Sequence, residues 1–300
     1  MSDARKIAVV TGGAGGIGKA CVRKLTQDGW RVAVLDLDGA QADAVAEELG
    51  GVGYAVDIGD TASIVDAARF VEDKVGPISG LACVAAHLEN PHRPERQDAA
   101  EWDDILRVNL TGTFRSMVEF GRGMLERGHG SIVNVGSITA FNSSPLQAYG
   151  PSKAGIINMS RNFAVAWGRS GIRVNTVCPG PTRTPAVEAS YARGERNPDT
   201  MIRQTALGRL VKPEEVANAI AFLLSDGASG ITGIELSVDS GTLAAQLWSL
   251  YGGVPEAAGR EEKHERLSVE PRDPRHRRRS RYRLGDRRTA GQTRRIRRRR

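Results

Sequence analysis

Seven short runs of mostly Val, Ile, Leu and Ala alternate with longer stretches of helical spacing through the first 251 residues. In the first of those stretches, Ile17, Ala20, Cys21 and Leu25 share one face at three- and four-residue intervals. Several runs are apolar at consecutive positions, which is typical of parallel strands covered on both faces. The predicted strands are Ile7–Val10, Arg31–Asp36, Val52–Val56, Gly80–Val84, Ser131–Val135, Arg173–Val177 and Ile234–Val238.

This alternation predicts right-handed β-α-β crossovers and an α/β fold. We expect a single Rossmann-type, doubly wound, parallel seven-stranded sheet with helices on both faces. Another helix is predicted from Pro213, a favourable first-turn residue, with Glu214 and Glu215 near the positive end of the helix dipole. No linker and no internal repeat interrupts residues 1–251, so we expect one domain there.

Residues 252–300 have a different composition. They carry 18 Lys and Arg against 7 Asp and Glu, whereas residues 1–251 carry a net charge of −4. With so few apolar residues they cannot offset the entropy of ordering, so we expect a disordered, Arg-rich tail. Dense Arg, Pro and Gly also suggests an out-of-frame reading of GC-rich DNA, and hence a non-native tail. Only one aromatic residue, Tyr282, accompanies the arginines, which disfavours nucleic acid as a partner.

The rest of the composition favours a cytoplasmic protein. No run of about 18 apolar residues occurs, so no membrane span is expected. The N-terminal residues lack an apolar signal segment. Cys21, Cys83 and Cys178 lie in predicted helices or strands without metal-ligand spacing, which favours buried, reduced thiols.

A glycine-rich string, TGGAGGIG, joins the first predicted strand to the first predicted helix. Gly12, Gly16 and Gly18 would let the backbone turn sharply and approach a pyrophosphate, whose oxygens the N–H groups of the helix start could bind. A glycine-rich loop alone is weak evidence. Its position after a strand and before a helix is what favours dinucleotide binding.

Two carboxylates follow the next strands. Asp36 ends the second predicted strand, where it could bind the adenosine ribose hydroxyls and would repel a 2′-phosphate. No Lys or Arg follows within residues 37–39, so NAD is favoured over NADP, although Asp36 could also be a solvated strand-end residue. Asp57 could lie near the adenine or could cap the helix that begins around Asp60.

Tyr149 and Lys153 are four residues apart in a predicted helix, so their side chains share a face. A neighbouring ammonium group favours the phenolate and lowers a tyrosine pKa from its usual value of about 10. Such a tyrosine can exchange a proton with an alcohol or carbonyl oxygen during hydride transfer. Taken alone, the pair is better explained by a tyrosine packed against a lysine stem.

The set of motifs and their order resemble the short-chain dehydrogenase/reductase family over about residues 5–250. The motifs are TGGAGGIG, Asp36, Asn109 in VNLTGTF, Ser137 in NVGSI, Tyr149 and Lys153 in YGPSK, PGPTRTP at Pro179–Pro185, and TGIELSVDSG ending at Gly241. One departure is clear: Cys83-Val84-Ala85-Ala86 stands where the family usually has Asn-Asn-Ala-Gly. The catalytic positions are unaffected by it.

The resemblance implies a role for each of four residues in hydride transfer between NAD(H) and a secondary alcohol or ketone. Tyr149 would be the general acid/base, and Lys153 would lower its pKa and hold the nicotinamide ribose. Ser137 would hydrogen-bond the substrate oxygen, and Asn109 would help to hold a proton-relaying water. In isolation, Ser137 could be a strand-end turn residue and Asn109 a helix breaker satisfied by the backbone.

The same resemblance implies a set of cofactor contacts, among which Thr182 and Thr184 would reach the nicotinamide carboxamide. The implied set is Gly12, Gly16, Ile17, Gly18, Asp36, Asp57, Ile58, Tyr149, Lys153, Pro179, Gly180, Thr182 and Thr184.

Two segments are expected to enclose the substrate. One is a lid over Ala186–Leu207 that contains Tyr191, Arg193, Arg196 and Met201. The other is the loop Thr139–Gln147, whose expected contacts are Phe141, Asn142, Ser143, Ser144 and Gln147. This mixture of apolar and polar side chains suits a cyclic or polyhydroxylated alcohol, although the ordinary polarity of surface loops explains it equally well. His87 and His92 could rim the pocket, and without a third ligand a metal role is disfavoured.

Leu247, Trp248, Leu250 and Tyr251 form an apolar patch that should be buried, either on the domain or against another subunit. Members of the resembled family are commonly tetramers, so a homo-oligomer, tetramer or dimer, is implied. The alternative to an enzyme is a non-catalytic NAD-binding sensor or scaffold. Loss of Tyr149 or Lys153 would have favoured it, and both are present.

Overall fold

The computed structural model describes residues 5–194 and 197–255. Seven strands form one sheet in the order β3-β2-β1-β4-β5-β6-β7, and every neighbouring pair is parallel. The predicted seven-stranded parallel sheet is therefore confirmed. The strands are β1 Ile7–Thr11, β2 Arg31–Asp36, β3 Val52–Ala55, β4 Ile78–Cys83, β5 Gly130–Val135, β6 Ile172–Pro179 and β7 Glu235–Val238.

Ten α-helices connect or follow these strands in the described part of the chain. They are α1 Gly16–Gln27, α2 Gly39–Leu49, α3 Thr61–Phe70, α4 Ala99–Ile105, α5 Thr113–Arg127, α6 Tyr149–Gly168, α7 Pro185–Ala192, α8 Pro198–Arg203, α9 Pro213–Leu224 and α10 Thr242–Ala245. The helix predicted from Pro213 is confirmed as α9.

Two hydrophobic cores lie on opposite faces of the sheet because successive strand residues point to opposite sides. Ala8 and Val10 of β1 pack in one core with α1, α2 and α9. Ile7 and Val9 pack in the other core with α3, α5 and α6. The strands are apolar at consecutive positions for this reason, and the predicted helical layers on both faces are confirmed.

Strand ends differ from the predicted ones by one or two residues. Strand β4 begins at Ile78, which pairs with Ile7 across a register shift, and β6 continues to Pro179, which pairs with Val238. Val56 lies outside β3, although its N–H still donates to the Asp36 carbonyl at 2.7 Å. Pairing partners, which a single segment does not reveal, set these ends.

Strand β1 lies between β2 and β4, so the chain winds in opposite directions on its two sides. The crevice at the carboxyl ends of such strands is where ligands bind in open α/β sheets. Within the described residues, no helix has the length and hydropathy needed to span a membrane. The disordered and non-native tail was predicted for residues 252–300, of which residues 256–300 lie outside the described residues, so the tail and its boundary at residue 251 stay predictions.

Candidate active site

A cleft of about 1380 Å³ opens at the carboxyl ends of the strands. Among the residues predicted for catalysis or cofactor binding, Asn109 alone does not line it. The predicted residues that do are Gly12, Gly16, Ile17, Gly18, Asp36, Asp57, Ile58, Ser137, Tyr149, Lys153, Pro179, Gly180, Thr182 and Thr184. The fold therefore brings together positions that span more than half of the chain.

The turn between β1 and α1 requires glycine at several positions. Gly12 has φ +68°, and a Cβ there would lie 2.7 Å from the Ala85 Cα. A Cβ on Gly18 would collide with the Gly12 carbonyl oxygen, and one on Gly16 would lie 2.9 Å from the Thr184 Cβ. The backbone can pack this closely only because no side chain intervenes.

The start of α1 fits the pyrophosphate of a dinucleotide. Its N-cap residue, Gly15, provides no side-chain hydrogen bond, and no acidic residue occupies the first turn. Backbone N–H groups of a first helical turn have no partner within the helix, and they favour an anion. The residues present thus suit the phosphates that the sequence predicted here.

At the other side of this turn, Asp36 is held by backbone and lies beside an apolar residue. Its Oδ2 accepts a hydrogen bond from the Ala14 N–H at 2.9 Å. The next side chain, Leu37, is 75% exposed and also lines the cleft. Asp36 and Leu37 therefore offer no positive charge that could bind a 2′-phosphate on the adenosine ribose.

Arg107 is a cleft residue that the sequence did not indicate. Its guanidinium binds the Asp104 carboxylate through Nε at 3.1 Å and through Nη2, and Nη1 lies 3.8 Å from the Asp57 carboxylate. Asp104 also contacts the His87 ring, with Nδ1 to Oδ2 at 2.7 Å. This cation is therefore already paired with two carboxylates.

The structure separates the two roles considered for Asp57. Asp60 is the N-cap of α3, where its side chain accepts from the Ala62 N–H at 3.0 Å. Asp57 instead accepts from the Gly59 N–H at 2.7 Å and lines the cleft beside Ile58. The helix-capping role for Asp57 is therefore wrong, and the cleft role stays open.

Tyr149 begins α6, and Lys153 lies one turn later on the same face. The Lys153 Nζ lies 5.3 Å from the Tyr149 ring centroid and donates to the Val135 carbonyl oxygen at 2.9 Å. Lys153 is only 2% exposed, and burial lowers its pKa to about 8. The ammonium group is therefore still mostly charged near neutral pH, in surroundings that screen it little.

Ser137 lies two residues after the end of β5 and takes the strand-end turn role considered for it, while its catalytic role stays a prediction. Its Oγ accepts from the Thr139 N–H at 3.1 Å and so caps the 3₁₀ turn Ile138–Ala140. The same residue lines the cleft together with Tyr149. A hydroxyl held at a strand end in this way is rigid, and it retains a proton to donate to a ligand.

Asn109 is buried in a π-helical stretch, Leu106–Gly112, between α4 and α5. Its Oδ1 accepts from the His87 N–H at 2.7 Å, and its Nδ2 donates to the His87 carbonyl at 3.0 Å. The carboxamide thus clamps the loop after β4. This is the backbone-satisfied alternative considered for Asn109, and its part in a proton relay stays a prediction.

The segment Cys83–Ala86 keeps its backbone contacts without the family's asparagines. The Thr11 Oγ1 accepts from the N–H groups of Val84 at 3.2 Å and Ala85 at 3.4 Å. Cys83 still pairs with Thr11 and Asn134 in the sheet. Among the residues that the structure describes, the Asn134 Oδ1 is buried without a hydrogen-bond partner.

The substrate end of the cleft is more apolar than the sequence predicted. Phe141, Asn142, Ser143 and Gln147 of the polar loop do not line it; the Gln147 carboxamide instead donates to the His92 carbonyl at 3.0 Å. The lining residues at this end are Leu88, Glu89, Pro91, Ile138, Thr139, Ser144, Pro145, Leu146, Pro181, Ala186, Val187, Asn197, Thr200 and Met201.

The predicted lid contributes less than expected. Met201 lines the cleft, whereas Tyr191 and Arg193 do not, and Arg196 lies outside the described residues. His87 lines the cleft, as expected of a rim residue. His92 is turned away from it and contacts the Gln97 side chain at 2.6 Å.

Two further predictions concern thiols and the C-terminal patch. The three cysteines are unpaired and buried, as predicted. In the patch, Leu247 is 70% exposed and Tyr251 is 83% exposed, and Trp248 and Leu250 are likewise exposed. Burial of this patch on the domain itself is therefore wrong, because the segment turns its apolar side chains outward.

Known proteins resemble the chain over nearly all of the described residues. The family model described as enoyl-(acyl carrier protein) reductase matches residues 12–242. The chain is 36% identical to 2-(S)-hydroxypropyl-CoM dehydrogenase 3 of Xanthobacter autotrophicus, over 80% of this chain and 97% of that protein. It is 37% identical to D-threitol dehydrogenase of Mycolicibacterium smegmatis, over 79% and 92%, respectively. It is also 37% identical to cis-4-hydroxycyclohexanecarboxylate dehydrogenase of Sinomonas cyclohexanicum, over 80% and 98%.

Solved structures agree with the fold. A Brucella melitensis structure described as ribose-5-phosphate isomerase superposes with a TM-score of 0.82 at 41% identity, covering 84% of this chain and 98% of that chain. Actinorhodin polyketide ketoreductase with NADPH superposes at 0.75 and 29% identity, covering 79% and 97%. With its motifs, its sheet order and these similarities, the chain belongs to the short-chain dehydrogenase/reductase family, whose members bind a nicotinamide cofactor.

Proposed function

We propose that the chain is an NAD-dependent oxidoreductase that transfers a hydride between NAD(H) and a secondary alcohol or its ketone, with Tyr149 as the general acid/base. The observation that carries this proposal is that Tyr149, Lys153 and Ser137 line the same cleft as the glycine turn. When bound, the cofactor supplies the hydride acceptor in one direction and the hydride donor in the other. The chain itself has to bind and orient the substrate and the cofactor, and it has to move a proton.

The proton step is assigned to the three side chains at the cleft. In the oxidative direction, the Tyr149 phenolate oxygen takes the proton of the substrate hydroxyl, and the Ser137 hydroxyl donates a hydrogen bond to the same substrate oxygen. The buried Lys153 ammonium stabilises the phenolate, and it does so strongly because little water screens it. Reduction of the ketone runs the same transfers in reverse.

We assign Asn109 a supporting part in the proton route from Lys153 through a held water to solvent. Its carboxamide is bonded to both backbone groups of His87. Its contribution to this route is therefore to fix the loop after β4 and the π-helical turn that carries Asn109. Thr182 and Thr184, which line the cleft after Gly180, are assigned to the nicotinamide carboxamide.

The assignment of NAD over NADP rests on Asp36. A carboxylate at the end of β2 accepts hydrogen bonds from ribose hydroxyls and repels a 2′-phosphate. Among the described cleft residues, Arg107 is the cation nearest to Asp57. Its guanidinium is already bound by the Asp104 carboxylate. The ketoreductase solved with NADPH has the same fold, so the fold alone does not favour NAD and the local charge has to decide.

The lining of the substrate end favours an uncharged, compact, cyclic secondary alcohol over a polyol. Its described side chains are mostly aliphatic or proline, with Glu89, Thr139, Ser144, Asn197 and Thr200 as the polar exceptions. A polyol would leave several hydroxyls facing apolar groups, and each unpaired hydroxyl loses about 1–3 kcal/mol. The two cations of the described lining, Arg107 and Lys153, are both engaged, which disfavours phosphorylated or sulfonated substrates.

The exposed patch Leu247–Tyr251 supports a homo-oligomer, as a tetramer or dimer. Four large apolar side chains in five consecutive positions are exposed on the single chain. Contiguous apolar surface of this kind marks an interaction site.

A spectrophotometric screen of NAD and NADP against cyclic alcohols, diols and polyols tests the proposed function. We expect turnover with NAD and cyclic secondary alcohols. A protein that binds NADH but oxidises no alcohol in a broad panel would instead support the non-catalytic NAD-sensing alternative.

A further inference from the structure

The catalytic helix begins against a buried carboxylate from a distant part of the chain. Glu89 lies in the loop after β4, and its side chain is 0% exposed. Its Oε1 accepts from the Gln147 N–H at 2.9 Å. Its Oε2 accepts from the Ala148 N–H at 3.0 Å and from the Tyr149 N–H at 2.7 Å. Three consecutive backbone donors thus converge on one carboxylate.

These donors are groups that α6 cannot satisfy by itself. The first N–H groups of a helix have no partner within the helix. The local N-cap residue of α6, Ala148, has no side chain able to accept a hydrogen bond. Glu89, which is 60 residues away from Tyr149 in sequence, therefore does the capping. Its negative charge also lies at the positive end of the helix dipole.

Further bonds join the same two loops around Glu89. The His92 N–H donates to the Pro145 carbonyl at 3.1 Å, and the Gln147 carboxamide donates to the His92 carbonyl at 3.0 Å. The His92 Nε2 lies 3.5 Å from the Glu89 carboxylate. The loop after β4 and the loop before α6 are thus fixed to each other where Tyr149 enters the cleft.

We propose that Glu89 is the positioning residue of the catalytic tyrosine. It acts through the backbone of Gln147–Tyr149, and it sets where the Tyr149 phenol stands relative to the Ser137 hydroxyl. This inference rests on the proposed function, because it concerns the residue that carries the proton. Displacement of a catalytic group by about 1 Å can lower a rate about 100-fold, so a cap at this position affects turnover more than binding.

A carboxylate is the side chain that this position requires. Both of its oxygens accept hydrogen bonds, and here the groups that donate to them are backbone N–H groups. In Glu89→Gln one oxygen becomes an NH₂ group, which would face a backbone donor and leave it unpaired. Glu89→Ala removes the cap altogether. Glu95→Gln is the matched control, because Glu95 lies in the same loop, is exposed and pairs only with the neighbouring Arg93 in the described chain.

The test compares turnover, cofactor binding and backbone exchange in the full-length variants. We expect kcat to fall about 10-fold in Glu89→Gln and about 100-fold in Glu89→Ala, while the NADH dissociation constant stays within about twofold. Amide hydrogens of Gln147, Ala148 and Tyr149 should exchange about 10-fold faster in both variants, measured well below the thermal midpoint. Glu95→Gln should match the wild type in each measurement.

The proposal is overturned if Glu89→Ala keeps kcat within about twofold of the wild type, or if the three amides exchange at the wild-type rate in both variants. A fall in kcat that merely follows a smaller folded fraction or weaker NADH binding would also overturn it. Glu89→Gln keeps the size of the side chain and decides the matter if the alanine variant does not fold. Lack of any turnover by the wild type would contradict the proposed function, and the exchange rates would still show whether Glu89 holds the start of α6.

Discussion

Lys153 carries its charge in a position that water hardly reaches. Burial lowers its pKa from 10.5 to about 8, so the folded chain binds this proton less tightly than the unfolded chain does. Between those two pH values the unfolded state holds more protons, and the free energy of unfolding must therefore rise with pH. Below pH 8 the buried ammonium destabilises the cofactor-free protein to its full extent.

Replacing Lys153 by Met should remove this dependence on pH. Between pH 7 and pH 10, we expect the free energy of unfolding of the wild type to rise by roughly 2–3 kcal/mol more than that of Lys153→Met. Each unit of pKa shift corresponds to about 1.4 kcal/mol. Urea denaturation of both proteins without cofactor measures this difference. Parallel curves would show that Lys153 is not buried as a charge.

Asp36 should decide which cofactor the chain accepts. In Asp36→Asn the repulsion of a 2′-phosphate disappears, so kcat/KM for NADP should rise about 10- to 100-fold relative to that for NAD. Asp38→Asn removes the same charge two residues away, where the carboxylate caps α2 by accepting from the Gln41 N–H. An equal change of cofactor preference in both variants would mean that general charge, and not the Asp36 contact, sets it.

Residues with a motif around them could be identified from the sequence, and residues with only a tertiary role could not. Tyr149, Lys153 and Ser137 stand in recognisable strings and line the cleft. Glu89 stands in a polar loop segment, where one more glutamate gives no periodic or motif signal. Only the fold shows that it meets the start of α6.

At the level of elements, the β1–α1 turn depends on the absence of side chains. A Cβ on Gly18 would collide with the Gly12 carbonyl oxygen, so Gly18→Ala must move α1 away from the turn. We expect a loss of about 1–3 kcal/mol in stability and at least about 10-fold weaker NADH binding. Denaturant unfolding and a fluorescence titration with NADH measure the two effects.

Gly168→Ala is the control for this substitution. Gly168 ends α6, and nothing lies within 4 Å of the Cβ that would be added there. Alanine should therefore leave NADH binding unchanged and stabilise the protein by up to about 1 kcal/mol. Wild-type NADH binding in Gly18→Ala would contradict the close packing described for the turn.

The elements themselves were predictable from apolar patterning, but their ends and irregularities were not. Seven strands and α9 were expected because their side chains face a core on one or both sides. The π-helical stretch Leu106–Gly112 had no signal in the sequence, and its clamp from Asn109 to His87 joins residues 22 positions apart. The polar loop at Phe141–Gln147 was expected to face the substrate, yet much of its polarity faces solvent or bonds His92.

For the whole molecule, the apolar C-terminal patch predicts self-association. Leu247→Asp combined with Leu250→Asp would place two charges in any interface formed there. We expect the double variant to sediment as a smaller species than the wild type, because unpaired charges are strongly disfavoured in buried interfaces. Phe222→Asp, on the exposed side of α9, is the matched surface control. The same oligomeric state for wild type and double variant would exclude this patch as the interface.

The architecture of the molecule was the most predictable level, because parallel strands and helical layers follow from local patterning that continues over 250 residues. The strand order and the convergence of distant residues on one cleft follow from long-range pairing, which single segments do not encode. The cytoplasmic location, the oligomeric state and the nature of residues 252–300 stay predictions.

Turnover of NAD with a cyclic secondary alcohol, compared between the wild type and Tyr149→Phe, tests the central claim most directly. We expect the wild type to form NADH and Tyr149→Phe to be slower by about 100- to 10,000-fold, with NADH binding retained, because only the acid/base hydroxyl is lost. Tyr54→Phe, which alters a tyrosine stacked on Phe70 away from the cleft, should keep wild-type turnover. Turnover of Tyr149→Phe within about threefold of the wild type would contradict the proposed role of Tyr149 in proton transfer.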